Sequence, residues 1–268
     1  MKHILCMKWG SAYGAKDVNI LYAMVARNLS GEFQLTCFTD DAAGIRNEVN
    51  CQPLPSLGCE IPADVPGKWP KVALWSRHLC GLEGTALFID LDSIIVDHID
   101  CYFEHGGQND VITARNWLNK FKKSGQTSVF RFPIGGHSYM LENLQADPAT
   151  VSRKFQYEQN YVTHNIRGGI KFWPEGWTQH FRVHCMGAWP QRYLRPPVLP
   201  PGAKIITFPG LPGPADAMHG RWTEKSEVLT PRQHLDTVWQ RFISGKPWRK
   251  HLSRYVQKAE WLGEHWRE

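Results

Sequence analysis

The segment Leu87-Phe88-Ile89-Asp90-Leu91-Asp92-Ser93-Ile94-Ile95-Val96 constrains this chain more than any other. It is a nearly continuous apolar run, the pattern of a strand buried on both faces. Yet it holds two carboxylates, which are costly in such a place unless paired or bound to metal. On a strand, residues two apart point to the same side. Asp90 and Asp92 would then repel each other unless a divalent cation lay between them. Hard oxygen ligands suit Mg²⁺ or Mn²⁺, which complete their shells with phosphate oxygens. The run therefore predicts a metal-bound diphosphate at the C-terminal end of a core strand. The same Asp-x-Asp spacing also arises at solvated loops, so the rest of the chain has to discriminate.

The length of 268 residues fits one large domain, or one domain with an appendage. A hydrophobic content of 42% is enough for a substantial core. No run of eighteen apolar residues is present, so no membrane span is expected. The first ten residues, Met1 to Gly10, are too short in their apolar part for a signal peptide and read as a first strand. Seven scattered cysteines with no C-x-x-C argue against a zinc site or a disulfide framework and fit a reducing cytoplasm. The net charge of +6 suits anionic partners. No nucleic-acid-binding motif is evident, so nucleic acid is not expected as a partner.

Along the chain, residues 3–9 read as a strand, and Asp17 to Asn28 as a helix carrying Val18, Leu21, Tyr22 and Val25 at helical spacing. Phe33 to Phe38 is a second strand, parallel to the first by the right-handed crossover rule. Residues 52–70 form a Pro/Gly-rich loop. Lys71 to Leu82 reads as a helix, followed by the strand holding Asp90 and Asp92. Val111 to Ala114 and Ser128 to Phe132 are further strands. Ala149 to Val162 reads as one helix, and Ala203 to Phe208 as a short strand. The tail, Pro231 to Glu268, is helical in pattern and rich in Trp, Arg, Lys and His.

The order of these pieces resembles the retaining glycosyltransferases of family 8 and their bacterial relatives of GT-A fold. The pieces that carry the resemblance are Cys37-Phe38-Thr39-Asp40-Asp41, the Asp90/Asp92 strand, Pro174-Glu175-Gly176-Trp177, and Phe208 to Pro214. It covers roughly residues 3–222. It implies an α/β fold: a GT-A (Rossmann-like) mixed, mostly parallel sheet flanked by helices, with a helical C-terminal extension. The expected division is a nucleotide-sugar-binding and catalytic domain over 1–222 and a basic, Trp-rich extension over 223–268.

The resemblance also implies roles. Asp90 and Asp92 would hold Mn²⁺ or Mg²⁺ against the donor diphosphate as a Lewis acid. Trp9 and Tyr13 would cover the nucleobase, with Tyr13 stacking on uracil. Asp40 would sit near the nucleoside, and Lys71 near the donor phosphates. Gln126-Thr127-Ser128 resembles the segment that touches the donor sugar, and Glu158-Gln159 the pair facing the reacting sugar. The implied activity is metal-dependent transfer from a nucleotide-sugar, a UDP-sugar, to a glycan or lipid-linked acceptor with retention. Bacterial surface polysaccharide assembly is the implied setting, in the cytoplasm or at the inner face of the membrane. Attack on the donor's front face, with the leaving diphosphate taking the acceptor's proton, is the expected route. A covalent route would need Glu158.

The chain departs from that family where the relatives carry a histidine ligand and a diphosphate-contacting lysine. Here those places hold Pro209 and Leu211, which can neither ligate a cation nor donate to phosphate. His219 lies ten residues beyond Pro209. A degenerate, non-catalytic protein that binds nucleotide or glycan is therefore a second reading. A sugar nucleotidyltransferase is a third, with Gly10 to Gly14 as a faint phosphate loop. The tail from Lys246 to His265 fits either a basic amphipathic helix on anionic lipid or a helix docked on the domain; the docked reading is preferred.

Overall fold

A computed structural model describes residues 1–117 and 124–268. The chain forms two compact units, one of Met1–Leu91 with His98–Glu175, the other of Asp92–Asp97 with Gly176–Glu268. The second unit takes in both the stretch up to Trp222 and the residues from Thr223 onward.

The first unit opens with β1 (Lys2–Lys8), α1 (Ala15–Asn28), β2 (Phe33–Thr39), β3 (Asn50–Pro53) and β4 (Thr85–Ile89). The Asp17 side chain accepts the Gly14 N–H at the start of α1, tying the first turn. The apolar face of α1 buries Val18, Leu21 and Val25, as its spacing dictates. Beyond β5 (Ser93–Ile95), which belongs to the second unit, come α2 (Cys101–Glu104), β6 (Ile112–Arg115), β7 (Gly125–Pro133), α3 (Tyr139–Ala146), α4 (Pro148–Phe155), α5 (Glu158–Asn165) and β8 (Lys171–Phe172).

The seven strands of this unit order as β3-β2-β1-β4-β7-β6-β8. Neighbours are parallel except where β7 runs antiparallel to β4 and β6. The expected mixed, mostly parallel sheet is present. Its core joins Leu5, Phe38, Phe88, Phe130 and Phe132 to Trp69, Trp75 and Tyr161.

Four expectations need correction. The apolar run from Leu87 to Val96 is two strands. β4 ends at Ile89, and β5 pairs with a different sheet. Asp90 and Asp92 lie in the turn between them, so strand alternation does not set their directions. Carboxylates unsuited to a buried sheet mark where the chain leaves it. The helix expected over Lys71–Leu82 is a short 3₁₀ segment, Trp69–Trp75, with Pro70 in its first turn and its end before the polar Ser76-Arg77-His78. The single helix expected over Ala149–Val162 is α4 and α5, parted at Gln156, whose φ of 61° leaves the helical region.

The fourth correction concerns the tail. The second unit holds a three-stranded sheet, β5-β10-β9, with β9 (Thr178–His180), α6 (Gln191–Leu194), β10 (Ile205–Thr207) and α7 (Pro214–His219). The tail is three separate helices: α8 (Pro231–Ile243), α9 (Arg249–Leu252) and α10 (Leu262–His265). Gly245 and Pro247 interrupt the helical pattern. Tyr255, Val256, Ala259 and Leu262 are buried, and the Ala259 N–H donates to the Ala217 carbonyl. This part of the tail is docked within its unit. No helix among the described residues is long and apolar enough to cross a membrane.

Candidate functional site

Parallel register gathers the predicted residues of the first unit at one sheet edge. Lys8 pairs with Thr39 between β1 and β2, and Leu5 with Phe88 between β1 and β4. The residues that follow these strands, Trp9, Asp40 and Asp90, therefore emerge at the same C-terminal edge. β7 runs the other way, with Val129 opposite Ile89, so its early residues Gln126, Thr127 and Ser128 reach that edge as well. Open α/β sheets bind ligands outside the carboxyl ends of their strands.

A buried polar network links six of the predicted residues. Lys71 is 5% exposed. Its ammonium donates to Asp90 Oδ1 at 3.0 Å, Asp90 Oδ2 at 3.2 Å and the Thr127 carbonyl at 2.7 Å. An ammonium has three donors, so all three are used. The Phe88 ring lies 4.5 Å from Nζ and adds a cation–π contact. Gln126 Nε2 donates to Ser128 Oγ at 2.6 Å, and Gln126 Oε1 accepts the Ser128 N–H at 2.8 Å. The Ser128 hydroxyl in turn bonds Asp90. Thr127 Oγ1 donates to Glu158 Oε1 at 3.0 Å, and the Lys68 N–H reaches Glu158 Oε2 at 3.2 Å.

Burial pushes the Asp90 carboxyl above its ordinary range. The Lys71 ammonium and the Ser128 hydroxyl pull it back, while the negative charge of Glu158 adds to the rise. The Lys71 ammonium is taken up by Asp90 and the Thr127 carbonyl, and no cationic side chain among the described residues pairs with Glu158, so the basin sets two carboxyl groups against one ammonium. Such a basin attracts a cation or stabilises developing positive charge.

The loop after β1 forms the neighbouring wall. Asp40 Oδ2 accepts the Gly10 N–H at 2.8 Å, which, with nearby Lys8, holds the Asp40 carboxyl below its ordinary range. Lys8 is buried at the end of β1, and its ammonium donates to the Asp41 carbonyl at 2.8 Å. Lys68 Nζ lies 5.5 Å from the Trp9 ring centre. Tyr13 is half-buried just before α1, and so is Gln159 in the first turn of α5, whose carbonyl accepts from the Thr163 hydroxyl. Asp92 belongs to the second unit, where its carbonyl accepts the Phe208 N–H at 3.1 Å. There too, His219 closes α7, its Nδ1 2.7 Å from the Ala215 carbonyl oxygen. Leu211 is exposed.

Sequence reasoning did not place Lys8 or Lys68 in the donor site. The available signal for Lys8 was a lysine ending an apolar strand beside Trp9. For Lys68 it was a lysine set between Gly67 and the Trp69-Pro70 pair.

Among the described residues, no group of three or more His, Cys, Asp or Glu side chains is arranged as a metal cage. A Mg²⁺-type ion is commonly held by one or two carboxylates, with waters and substrate phosphates completing the shell. The chemistry of Asp90 meets that requirement. The two carboxylate oxygens carry four lone pairs, and the bonds from Lys71 and Ser128 use three, so acceptor capacity remains for a cation.

No protein-family model and no curated protein sequence matches the chain. Solved structures do. The galactosyltransferase LgtC, in complex with donor and acceptor sugar analogues, is similar with a TM-score of 0.58 at 10% identity, over 93% of this chain and 99% of that one. The glycosyltransferase GlyE of Streptococcus pneumoniae TIGR4 is similar at 0.56 and 14% identity, over 97% of this chain and 66% of that one. The bifunctional glycosyltransferase WbbM is similar at 0.55 and 12%, over 95% of this chain and 51% of that one. The chain has the GT-A fold of these glycosyltransferases.

Proposed function

We propose that the chain is a metal-dependent glycosyltransferase that moves a sugar from a UDP-sugar to a glycan or lipid-linked acceptor with retention. The observation that carries this reading is the Lys71–Asp90 pair, set beside Gln126, Thr127, Ser128 and Glu158 at the sheet edge. Asp90 and Asp92 would hold Mn²⁺ or Mg²⁺, which when bound neutralises charge on the leaving diphosphate. Trp9, Tyr13 and Asp40 bind the nucleoside, and Lys71 keeps Asp90 ionised and oriented. Gln126, Thr127 and Ser128 hold the donor sugar, with Gln159 beside it.

The Glu158 oxygens each accept a hydrogen bond, one from Thr127 and one from the Lys68 backbone. A carboxylate so restrained is a better stabiliser of positive charge at the anomeric carbon than a nucleophile. This favours attack on the donor's front face. The bond from the anomeric carbon to the diphosphate oxygen breaks as the acceptor oxygen bonds on the same side. The acceptor's proton passes to the leaving phosphate oxygen.

A lipid-linked acceptor places the work at a membrane surface. Leu235, Trp239, Phe242 and Ile243 are 43–59% exposed and share one face of α8 by their spacing. That face supports peripheral contact with lipid on the cytoplasmic side.

The test is UDP binding by calorimetry with and without Mn²⁺, followed by a screen of UDP-sugars for hydrolysis. Metal-dependent binding that Asp90→Ala and Asp92→Ala abolish is the expected result. UDP binding without turnover of any donor would favour the degenerate reading motivated by Pro209 and Leu211. No UDP binding under either condition would overturn the proposal.

A further inference from the structure

Three cysteines of the first unit stand in one row across neighbouring strands. Cys6 pairs with Cys37 in the β1–β2 register, and Cys37 pairs with Cys51 in the β2–β3 register. Residues paired in this way point to the same face of a sheet. That face is opposite the one carrying Leu5 and Phe38 into the core, because Cys6 and Cys37 alternate with them along their strands. All three are thiols. Three sulfurs in a line do not converge on a point, in keeping with the lack of a metal cage among the described residues.

The next row along the same face pairs Lys8 with Thr39, and Thr39 with Pro53. The Lys8 ammonium and the Thr39 hydroxyl both donate to the Asp41 carbonyl, at 2.8 and 2.9 Å. The sulfur row therefore lies one step below the groups that hold the chain at Asp40 and Asp41.

The three thiols differ in access and in chemistry. Cys6 and Cys37 are fully buried. Cys51 is half-buried, on the strand that ends the sheet. The Cys6 thiol donates to the Cys37 sulfur, and that bond, with the charge of Lys8, holds the Cys37 thiol below its ordinary range against the effect of burial. The same contact raises Cys6. Burial, with Cys37 beside it, raises Cys51. Adjacent strands lie about 4.8 Å apart, within the roughly 4.4–6.8 Å that a disulfide spans between Cα atoms.

We propose that Cys51 and Cys37 form a redox-responsive pair, in which hydrogen peroxide oxidises Cys51 at the sheet edge and Cys37 closes a disulfide from within. The Cys51 sulfur attacks one peroxide oxygen and the O–O bond breaks. The Cys51 thiol proton leaves with the departing hydroxide as water, and a sulfenic acid remains. The Cys37 sulfur then attacks the Cys51 sulfur. The S–S bond forms as the S–O bond breaks, and the Cys37 proton leaves with that hydroxide as a second water. Two thiols are oxidised by two electrons, and one peroxide is reduced. The first step is the slow one, because Cys51 is little ionised, and the second is assisted by the ionisation of Cys37.

Closing the bond draws the two Cβ atoms to about 3.8 Å, nearer than the strand spacing. A disulfide strained in this way is readily reduced, so the pair resets with a thiol reductant. It also pulls Thr39 toward Pro53 and loosens the hold on Asp40 and Asp41. The pair needs neither donor nor metal, and it is independent of the transferase reading.

The experiment treats the full chain with hydrogen peroxide, alkylates the remaining thiols under denaturing conditions and maps unreduced peptides by mass spectrometry. A Cys37–Cys51 disulfide that dithiothreitol removes is expected. Cys37→Ala should leave Cys51 as a sulfenic acid that dimedone captures. Cys51→Ser, a small change at a half-buried edge position, should leave Cys37 as a thiol and keeps the test open if the buried variant does not fold. Hydrogen exchange at the Gly10 and Asp41 amides, which donate to Asp40 Oδ2 and Thr39 Oγ1, should quicken on oxidation and recover with dithiothreitol. Cys37 and Cys51 both recovered as alkylated thiols, while exposed Cys80 is oxidised, would overturn the proposal. So would a Cys6–Cys37 disulfide that forms in Cys51→Ser, which would make Cys51 dispensable. Exchange unchanged by the disulfide would refute its link to Asp40 and Asp41.

Discussion

The Lys71 ammonium bridges both carboxylate oxygens of Asp90, at 3.0 and 3.2 Å. Neither group sits comfortably alone, because the lysine is buried and burial raises the Asp90 carboxyl above its usual range. A carboxyl with a raised folded-state pKa holds its proton more tightly when folded. Stability then falls as pH climbs from the ordinary carboxylate range through the raised value. Lys71→Met removes the opposing charge and carries that loss to higher pH. The Asp90 side chain is 31% exposed, so water offsets part of the loss and the expected cost is about 1–3 kcal/mol near neutrality, and less as the buffer is made acid and Asp90 takes up its proton. Urea unfolding at both pH values checks it. An equal cost at the two would show that Lys71 acts only through packing.

Gln126 orders Ser128 from both sides, as acceptor of its N–H and donor to its hydroxyl. Gln126→Leu strips both bonds and leaves a buried N–H without a partner, at about 1–3 kcal/mol. Since Ser128 bonds Asp90, turnover of a UDP-sugar should fall as well. Steady-state kinetics should show the loss mainly in kcat. A loss confined to KM would place Gln126 in ground-state binding only.

Two buried histidines of the second unit, His180 and His234, have pKa values lowered from 6.5 to about 4, chiefly by burial. Unfolded histidine takes its proton at the higher value. The unfolded state therefore binds more protons between the two values, and stability rises with pH across that window. Thermal melts should show acid destabilisation as pH drops from 6.5 toward 4. Substituting either histidine by Asn should flatten the slope, and an unchanged slope in both variants would refute the assignment.

Gly220 ends α7 in the left-handed region, with φ at 73°. A Cβ there would meet the Lys258 backbone nitrogen at 2.9 Å. Gly220→Ala should destabilise by more than the roughly 1 kcal/mol of conformational strain alone, because rigid backbone blocks the new methyl group. Chemical denaturation measures this directly. A neutral result would mean that the tail shifts away from α7 at little cost.

The opening β1-α1-β2 unit was legible because its periodicities are long and clean, and the acid-bearing run correctly marked the end of a core strand. Which way Asp90 and Asp92 point was not legible, since the chain turns between them and the two strands join different sheets. The break at Gln156 escaped notice because apolar spacing carries no information about one residue's positive φ. The grouping of Lys71, Asp90, Thr127 and Glu158 came only through a likeness of motif order, because no local spacing links residues so far apart in sequence.

The strand β5 has a consequence for how the polypeptide is made. It emerges early, as a brief excursion from a chain otherwise building the first unit, and its partner β10 is synthesised much later. Until then, Ser93, Ile94 and Ile95 form an apolar segment with no complementary edge. Non-local pairing of this kind slows folding and prolongs exposure to aggregation. A fragment cut after Glu175 would carry that orphaned segment permanently, so neither unit can be obtained as an uninterrupted stretch of the gene product.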